Sequence, residues 1–420
     1  MAGFGESFFS AFAVFLQASP LQMSLIATLP SCIGSLSQLF CHRILRRLKS
    51  RRLFVYRNIF AHGVMYLPIA SVFFLGDHRV NYLIAFLSIY SIIGMIYQPA
   101  WNSWMGDLVD PKERGSFFGK RNNIGVIIQF VCFLTAGQIL QLSASGMQNK
   151  MMGFFIIFMV ALFARIISAI FMSMKWEPEY SPEEEHITTL SEISDNEEYS
   201  NYKRFITFVP LMVFFGSVSA PFAVPYILKD LNYSYATYTF IVGGGFLMRI
   251  LTMPVWGRIA DIFGPRKVIA TTVFFTVITQ LLWLVSGKVP YLIAIMCVSG
   301  FIFAGFEISL NAYLFDSTNS KNRVMGFTYF NVVNGISAVA GALFGGFLVK
   351  HNSLFWSHYL IVFPVAALGR LIVALIFIPG FKEIRKTREA SGLRIFSHVL
   401  MGMPTTDLIL RTFSAISRKS

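Results

Sequence analysis

About twelve times along its length this chain stays apolar for long enough to cross a bilayer, and that recurrence leaves few folds open to it. A crossing helix needs roughly 20 predominantly apolar residues to cover a ~30 Å hydrocarbon core. Stretches of this kind fall near 2–18, 21–41, 53–75, 80–105, 118–141, 151–174, 205–228, 234–256, 268–286, 290–315, 325–349 and 354–380. Composition excludes a soluble chain. Apolar residues make up 55% of the 420 and charged residues only 13%, about half the charged share usual in soluble domains. Forty-four Phe and 18 Met exceed what a soluble core can hide, so the surplus must face lipid. The expected fold class is an all-α integral membrane protein of twelve transmembrane helices.

The formal net charge of +14 invites a nucleic-acid partner, but the placement of the cations does not. Seven Lys and Arg lie between Arg43 and Arg57, eight between Lys382 and Lys419, and most others at span ends. That is the pattern of loops facing anionic lipid. If the loop at 42–57 is cytoplasmic, the inside holds 27 Lys and Arg and the outside five, with Arg165, Arg249 and Arg370 inside spans. Both termini are then expected to be cytoplasmic, in a cell membrane (the inner membrane in a bacterium). The first residues lack the basic stretch of a signal peptide, and Glu6 interrupts the apolar run. They read better as a short first span, and a start upstream of Met1 stays open. Cys32, Cys41, Cys132 and Cys297 have no paired spacing. Neither a disulfide framework nor a metal site is expected, and no cofactor.

One segment breaks the apolar rhythm. Nine acids crowd Glu177–Glu198, so residues 175–204 read as a solvated acidic cytoplasmic linker. The chain then divides into an N-terminal six-helix bundle (1–174), the linker, a C-terminal six-helix bundle (205–381) and a basic cytoplasmic tail (382–420). The two bundles repeat one another. Arg79-Val-Asn-Tyr-Leu-Ile-Ala85 matches Lys288-Val-Pro-Tyr-Leu-Ile-Ala294. At the same offset Asn102 meets Asn311, Asp107 meets Asp316, Arg114 meets Arg323, and Asn122 meets Asn331. Phe158-Met-Val-Ala161 with Arg165 matches Phe363-Pro-Val-Ala366 with Arg370, and Phe12-Ala-Val14 matches Phe222-Ala-Val224. Offsets drift between these blocks, so the gaps fall in loops, as in a duplicated bundle.

Between the second and third spans of the second half stands Gly257-Arg-Ile-Ala-Asp261-Ile-Phe-Gly264-Pro-Arg266-Lys267. With the span count and the repeat, this loop resembles the signature of the major facilitator superfamily, and the resemblance covers nearly the whole chain. It implies two pseudo-symmetric six-helix bundles, alternating access, and a conformational latch formed by Gly257, Asp261, Gly264, Arg266 and Lys267. It also implies that this loop docks near Phe117–Lys120. The first half departs from the pattern: Arg46 stands where Asp is expected and Lys49 where the second Gly is expected. Asp107, Arg114, Asp316 and Arg323 are the repeated charges at the cytoplasmic ends.

Charges deep in spans are costly and point to function by default. Counting at 1.5 Å per residue, Glu307 lies roughly 13 Å in from Asp316 and Arg249 about 12 Å in from Gly257. They are candidates for a solute or ion cavity, with a purely structural ion pair as the alternative. Gln98 is the repeat equivalent of Glu307. Tyr90, Gly94, Gln98 and Asn102 form one helical stripe, and Ser299, Phe303, Glu307 and Asn311 another. The resemblance implies that the first, fourth, seventh and tenth spans line the cavity. Glu6 is the other carboxylate within a span, either in that cavity or near the inner interface. Arg165 and Arg370 read as structural, snorkelling or pairing. No His-Glu-x-x-His, phosphate-binding loop or Gly-x-Ser-x-Gly occurs, so no enzyme is expected. The expectation is a monomeric secondary transporter of a small-molecule solute, driven by protons, with the bilayer as its surroundings and no nucleic-acid partner. The rival reading is a transporter-like sensor or scaffold that moves nothing.

Overall fold

The computed structural model describes residues 1–108, 114–143, 146–178, 200–317, 323–381 and 383. Regular structure among them is entirely helical. Most of the acidic linker, the tail beyond Glu383, and the side chains of Arg114, Phe117–Lys120 and Arg323 lie outside the described residues. In chain order the main helices are α1 (Glu6–Phe15), α2 (Pro20–Leu48), α3 (Arg51–Val64), α4 (Tyr66–Ser71), α5 (Arg79–Ile96), α6 (Gln98–Leu108) and α7 (Arg114–Leu142). They continue with α8 (Met147–Ser173), α9 (Ser200–Ser219), α10 (Tyr235–Phe263), α11 (Pro265–Leu282), α12 (Val289–Asp316), α13 (Arg323–His351) and α14 (Val362–Phe377).

Helix occupies each of the twelve expected spans, and among the described residues nine stretches are long and apolar enough to cross a membrane. The other three fall short for local reasons. α1 is short. The stretch that holds α3 and α4 is interrupted at Met65. α11 carries Arg266 and Lys267 in its first turn and is rich in threonine. Those threonines cost little, because Thr271, Thr272, Thr276 and Thr279 each donate to a carbonyl three or four residues back.

Prolines set where the spans bend. Pro has no N–H to donate, and its ring crowds the carbonyl four residues earlier. α3 ends at Val64, four residues before Pro68, and α5 ends at Ile96, three before Pro99. The turn residues are Met65 and Tyr97. Past α9, Pro221 and Pro225 convert the helix first to a 3-10 turn and then to a π turn over Tyr226–Asp230. Helix starts are equally local: α2 opens with a capping box between Ser19 and Gln22 and with Pro20 in its first turn.

α8 shows how such helices sit in lipid. It buries Phe154, Ile157, Phe158, Ala161 and Ala169, and leaves Val160, Phe163, Ile167, Ile170 and Phe171 exposed. A helix apolar on every face suits a bilayer, where all backbone bonds close internally. By compactness the chain forms two units. Unit 1 comprises Met1–Thr188, Val213–Phe240 and Met325–Val365; unit 2 comprises Thr189–Met212, Ile241–Val324 and Ala366–Ser420. The units partition the chain differently from 1–174 and 205–381: stretches 213–240 and 325–365 pack with the N-terminal residues. The division into halves reflects repetition in the sequence, and the units reflect contacts.

Candidate functional site

Unit 1 encloses a cavity of about 470 Å³. Its walls include Glu6 of α1, His62 of α3, Tyr90 and Gly94 of α5, Tyr97 at the break, Gln98 of α6 and Arg165 of α8. This size is ordinary for a small-molecule site. The proline breaks decide which side chains reach it. The Pro99 break frees Tyr97 from the helical repeat, and the Pro68 break puts Tyr66 at the start of α4, buried behind the wall where its hydroxyl meets that of Tyr90.

The polar groups form two connected chains. Glu6 Oε1 accepts from the Tyr90 hydroxyl at 2.8 Å, and the Tyr90 and Tyr66 hydroxyls lie 2.9 Å apart. On the other side Arg165 donates from Nε to His62 Nδ1 at 3.1 Å and from Nη2 to the Tyr97 hydroxyl at 2.5 Å. The His62 ring stacks on Tyr90, centroids 3.8 Å apart, and joins the two chains. Arginine can only donate, so His62 Nδ1 accepts and its proton resides on Nε2. Close backbone approach makes this packing fit. A Cβ at Gly94 would stand 2.4 Å from His62 Nε2, and one at Gly63 would stand 3.1 Å from Arg165 Cβ.

Arg165 forms no ion pair with a carboxylate among the described residues. Its partners are a neutral ring nitrogen and a phenol. Glu6 lines the same cavity, beyond ion-pair distance of that guanidinium. Arg165 and Glu6 therefore face the same space, with Met1 beside them, without pairing directly with each other.

Unit 2 handles its charges differently. Arg249 Nη2 donates to Glu307 Oε2, and the guanidinium lies 5.3 Å from the Phe303 ring centroid. The two expected midplane charges thus meet as an ion pair, about one-third exposed on each side. Asn311 returns its side-chain amide to the Glu307 carbonyl of its own helix. Arg370 keeps its Nε buried without a hydrogen-bond partner among the described residues. In unit 1, Tyr90, Gly94 and Gln98 stand in the cavity wall, whereas Asn102, one turn after Gln98 in α6, is exposed and does not line it.

The loops between second and third spans each place one residue at positive φ, but with different ψ: 145° at Gly264 and 13° at Lys49. Gly264 has φ 91° and Lys49 has φ 54°. Arg51 is buried and bridges Asp107 at 2.6 Å and Ser103 at 2.9 Å. Glu177, just past α8, accepts from Ser50 Oγ and from the Arg51 and Arg52 amides at the start of α3. Glu383, just past the last helix, lies against Gly264 before α11, where an added Cβ would meet its carboxylate at 2.2 Å. Asp261 is exposed, Gly257 half-buried, and Arg266 holds its Nε buried with no hydrogen-bond partner among the described residues.

Helices apolar on every face, internal repetition and a polar cavity among the helices are what the fold brings to comparison. A sequence profile of the Major Facilitator Superfamily matches residues 205–417, just over half of the chain. The chain belongs to that superfamily. Among curated relatives, the MFS-type transporter ppz2 of Metarhizium majus is 31% identical over 147 residues, which is 34% of this chain and 24% of that protein. The tetracenomycin C resistance and export protein of Streptomyces glaucescens is 25% identical over 189 residues, 44% of this chain and 35% of its own length. The chain thus spans about a quarter to a third of the curated relatives it matches. Among solved structures, a D-xylose–proton symporter aligns with TM-score 0.68 at 13% identity, covering 92% of this chain and 94% of that one. A bacterial homologue of the iron transporter ferroportin, in an inward-facing state, aligns with TM-score 0.66 at 11% identity, covering 90% and 94%. At these identities the structural likeness speaks to the fold of this superfamily member and to nothing finer.

Proposed function

We propose that this superfamily member is a secondary active transporter that moves a small solute by alternating access and draws on a proton gradient. The supporting observation is the cavity of unit 1, where Glu6 and Arg165 face a space of small-molecule size without forming an ion pair. Intramembrane charges left in this state are costly unless they serve transport. Glu6 is the carboxylate best placed to exchange a proton with the cavity, since it lines that space and accepts from the Tyr90 hydroxyl. Glu307 would first have to leave Arg249. In this reading the halves 1–174 and 205–381 rock against each other, both termini are cytoplasmic, and the loop at Asp261 latches one closed state. One relative is named as an export protein and one similar structure as a proton symporter, and both are compatible with the proposal.

The test is reconstitution of the full chain into proteoliposomes with an imposed pH gradient. Uphill solute accumulation should occur, collapse with an uncoupler, and vanish in Glu6→Gln while downhill exchange persists. Accumulation insensitive to the uncoupler would end the proton reading. Loss in Glu307→Gln alone would move the proton route to the Arg249–Glu307 pair.

A further inference from the structure

The cation that unit 1 leaves without a carboxylate also says what kind of solute its cavity would take. We infer that the solute carries an anionic group, a carboxylate or its equivalent, that docks on Arg165 between Tyr97 and His62. The inference rests on the transporter reading for its biological sense, and on the cavity geometry for its chemistry.

Two donors, Arg165 and Tyr97, stand together there, with the His62 ring beside them. Arg165 uses Nε on His62 and Nη2 on Tyr97, which leaves Nη1 with no acceptor among the described residues. Tyr97 receives a hydrogen bond from Arg165, so its own hydroxyl proton is free to donate. His62 accepts at Nδ1 and holds the guanidinium in place, while its Nε2 edge packs against Gly94. All three residues line the cavity. A guanidinium beside a phenol O–H matches an anion, because charge-assisted donors are roughly twice as strong as neutral ones. A neutral solute would leave the cation without a counter-charge, and a cationic solute would be repelled by it.

The rest of the wall sets limits on the remainder of the solute. Phe9 stands edge-on to Tyr90, centroids 5.4 Å apart, and Tyr90 stacks on His62. These faces favour a flat or apolar body. Glu6 and Gln98 face the same space, so a solute that adds an ammonium to its carboxylate can satisfy both charges. Both solute types share the anion, and the anion is what is claimed. The repeat equivalent makes the contrast concrete: the stretch aligned with Tyr90 and Tyr97 in the second half offers Ser299 and Phe306, and Val268–Leu282 holds no histidine. The positions aligned with Tyr97 and His62 therefore supply neither a tyrosine nor a histidine to Arg370.

The experiment uses the purified full chain and thermal stabilisation by matched probes: lactate, benzoate and L-phenylalanine against lactamide, benzamide and benzylamine. Carboxylates should stabilise the protein, and their amide or amine counterparts should not. Arg165→Gln should weaken carboxylate binding at least tenfold, Tyr97→Phe several-fold, and Arg370→Gln not at all. Tyr97→Phe keeps the ring and its packing, so the claim stays open to refutation if Arg165→Gln does not fold. Equal binding of neutral or cationic counterparts would overturn the inference, as would failure of every carboxylate, or unchanged affinity in Tyr97→Phe and Arg165→Gln. Carboxylate binding without uptake into proteoliposomes would end the transporter reading and leave the anion site standing. Uptake of a neutral solute unaffected by Arg165→Gln would do the reverse.

Discussion

Arg165 and Arg249 are both arginines deep in apolar helices, yet the protein treats them in opposite ways. Arg249 is neutralised where it stands, by Glu307 from the neighbouring helix. Arg165 is held by a neutral imidazole and a phenol that orient it without cancelling its charge. Burying an ion costs several kcal/mol unless a partner repays it. The first arrangement meets that cost within the fold and reads as part of the scaffold. The second leaves it open, and an open charge beside a cavity is where a ligand gains most. Position along the helix does not separate the two cases; the chemistry of the partners does.

The contrast is most sharply broken at Gly94. Its missing side chain leaves room for the His62 ring, and a Cβ would fall 2.4 Å from Nε2. Gly94→Ala should push His62 away from Tyr90 and release Arg165 Nε. The expected cost is about 2 kcal/mol by the usual scale of overpacking, with carboxylate affinity reduced together with stability. Thermal unfolding and ligand stabilisation on the same sample check this. An unchanged protein would mean that His62 has somewhere else to go and that the site is softer than its packing suggests.

A double-mutant cycle sharpens the other side. Glu307→Ala leaves Arg249 without its carboxylate, and because each side chain is about one-third exposed the expected loss is only ~1–2 kcal/mol, below the range for fully buried pairs. Adding Arg249→Ala should recover part of it, since the second change removes the unpaired charge. Additive losses in unfolding temperature would show that the pair contributes little and that its two members act apart.

Much of this was legible in the chain before any coordinates. Apolar length marks helical spans, because a bilayer forces backbone bonds to close within each segment. The repeat and the Gly257–Lys267 loop point to the superfamily for the same reason that duplicated bundles keep their turns. The stripe of Tyr90, Gly94 and Gln98 follows from a 3.6-residue period and does reach the cavity wall. It fails for Asn102, which shares α6 with Gln98 one turn earlier but does not line the cavity. The repeat also suggests one shared role for Arg165 and Arg370. What separates them is their neighbours, and neighbours three spans away in sequence leave no local mark. His62 has a weak one, since it precedes Tyr66 by four residues and Gly63 by one. A lone histidine in an apolar run gains meaning only when the facing helix is known.

The smallest expected effect concerns the loops that cross between second and third spans. Both turns hold a residue at positive φ: the second half has Gly264 at φ 91° and ψ 145°, the first half Lys49 at φ 54° and ψ 13°. A residue with a side chain resists that conformation by roughly 1 kcal/mol, whereas glycine adopts it freely. Lys49→Gly should therefore stabilise the protein slightly, by less than ~1 kcal/mol once the greater freedom of glycine in the unfolded chain is subtracted. Gly264→Ala should go the other way and further, because strain at φ 91° adds to the approach of Glu383 at 2.2 Å. Unfolding temperatures of the two variants, measured side by side in one detergent, decide the matter. If Lys49→Gly destabilises instead, the lysine side chain holds that loop by contacts stronger than the strain.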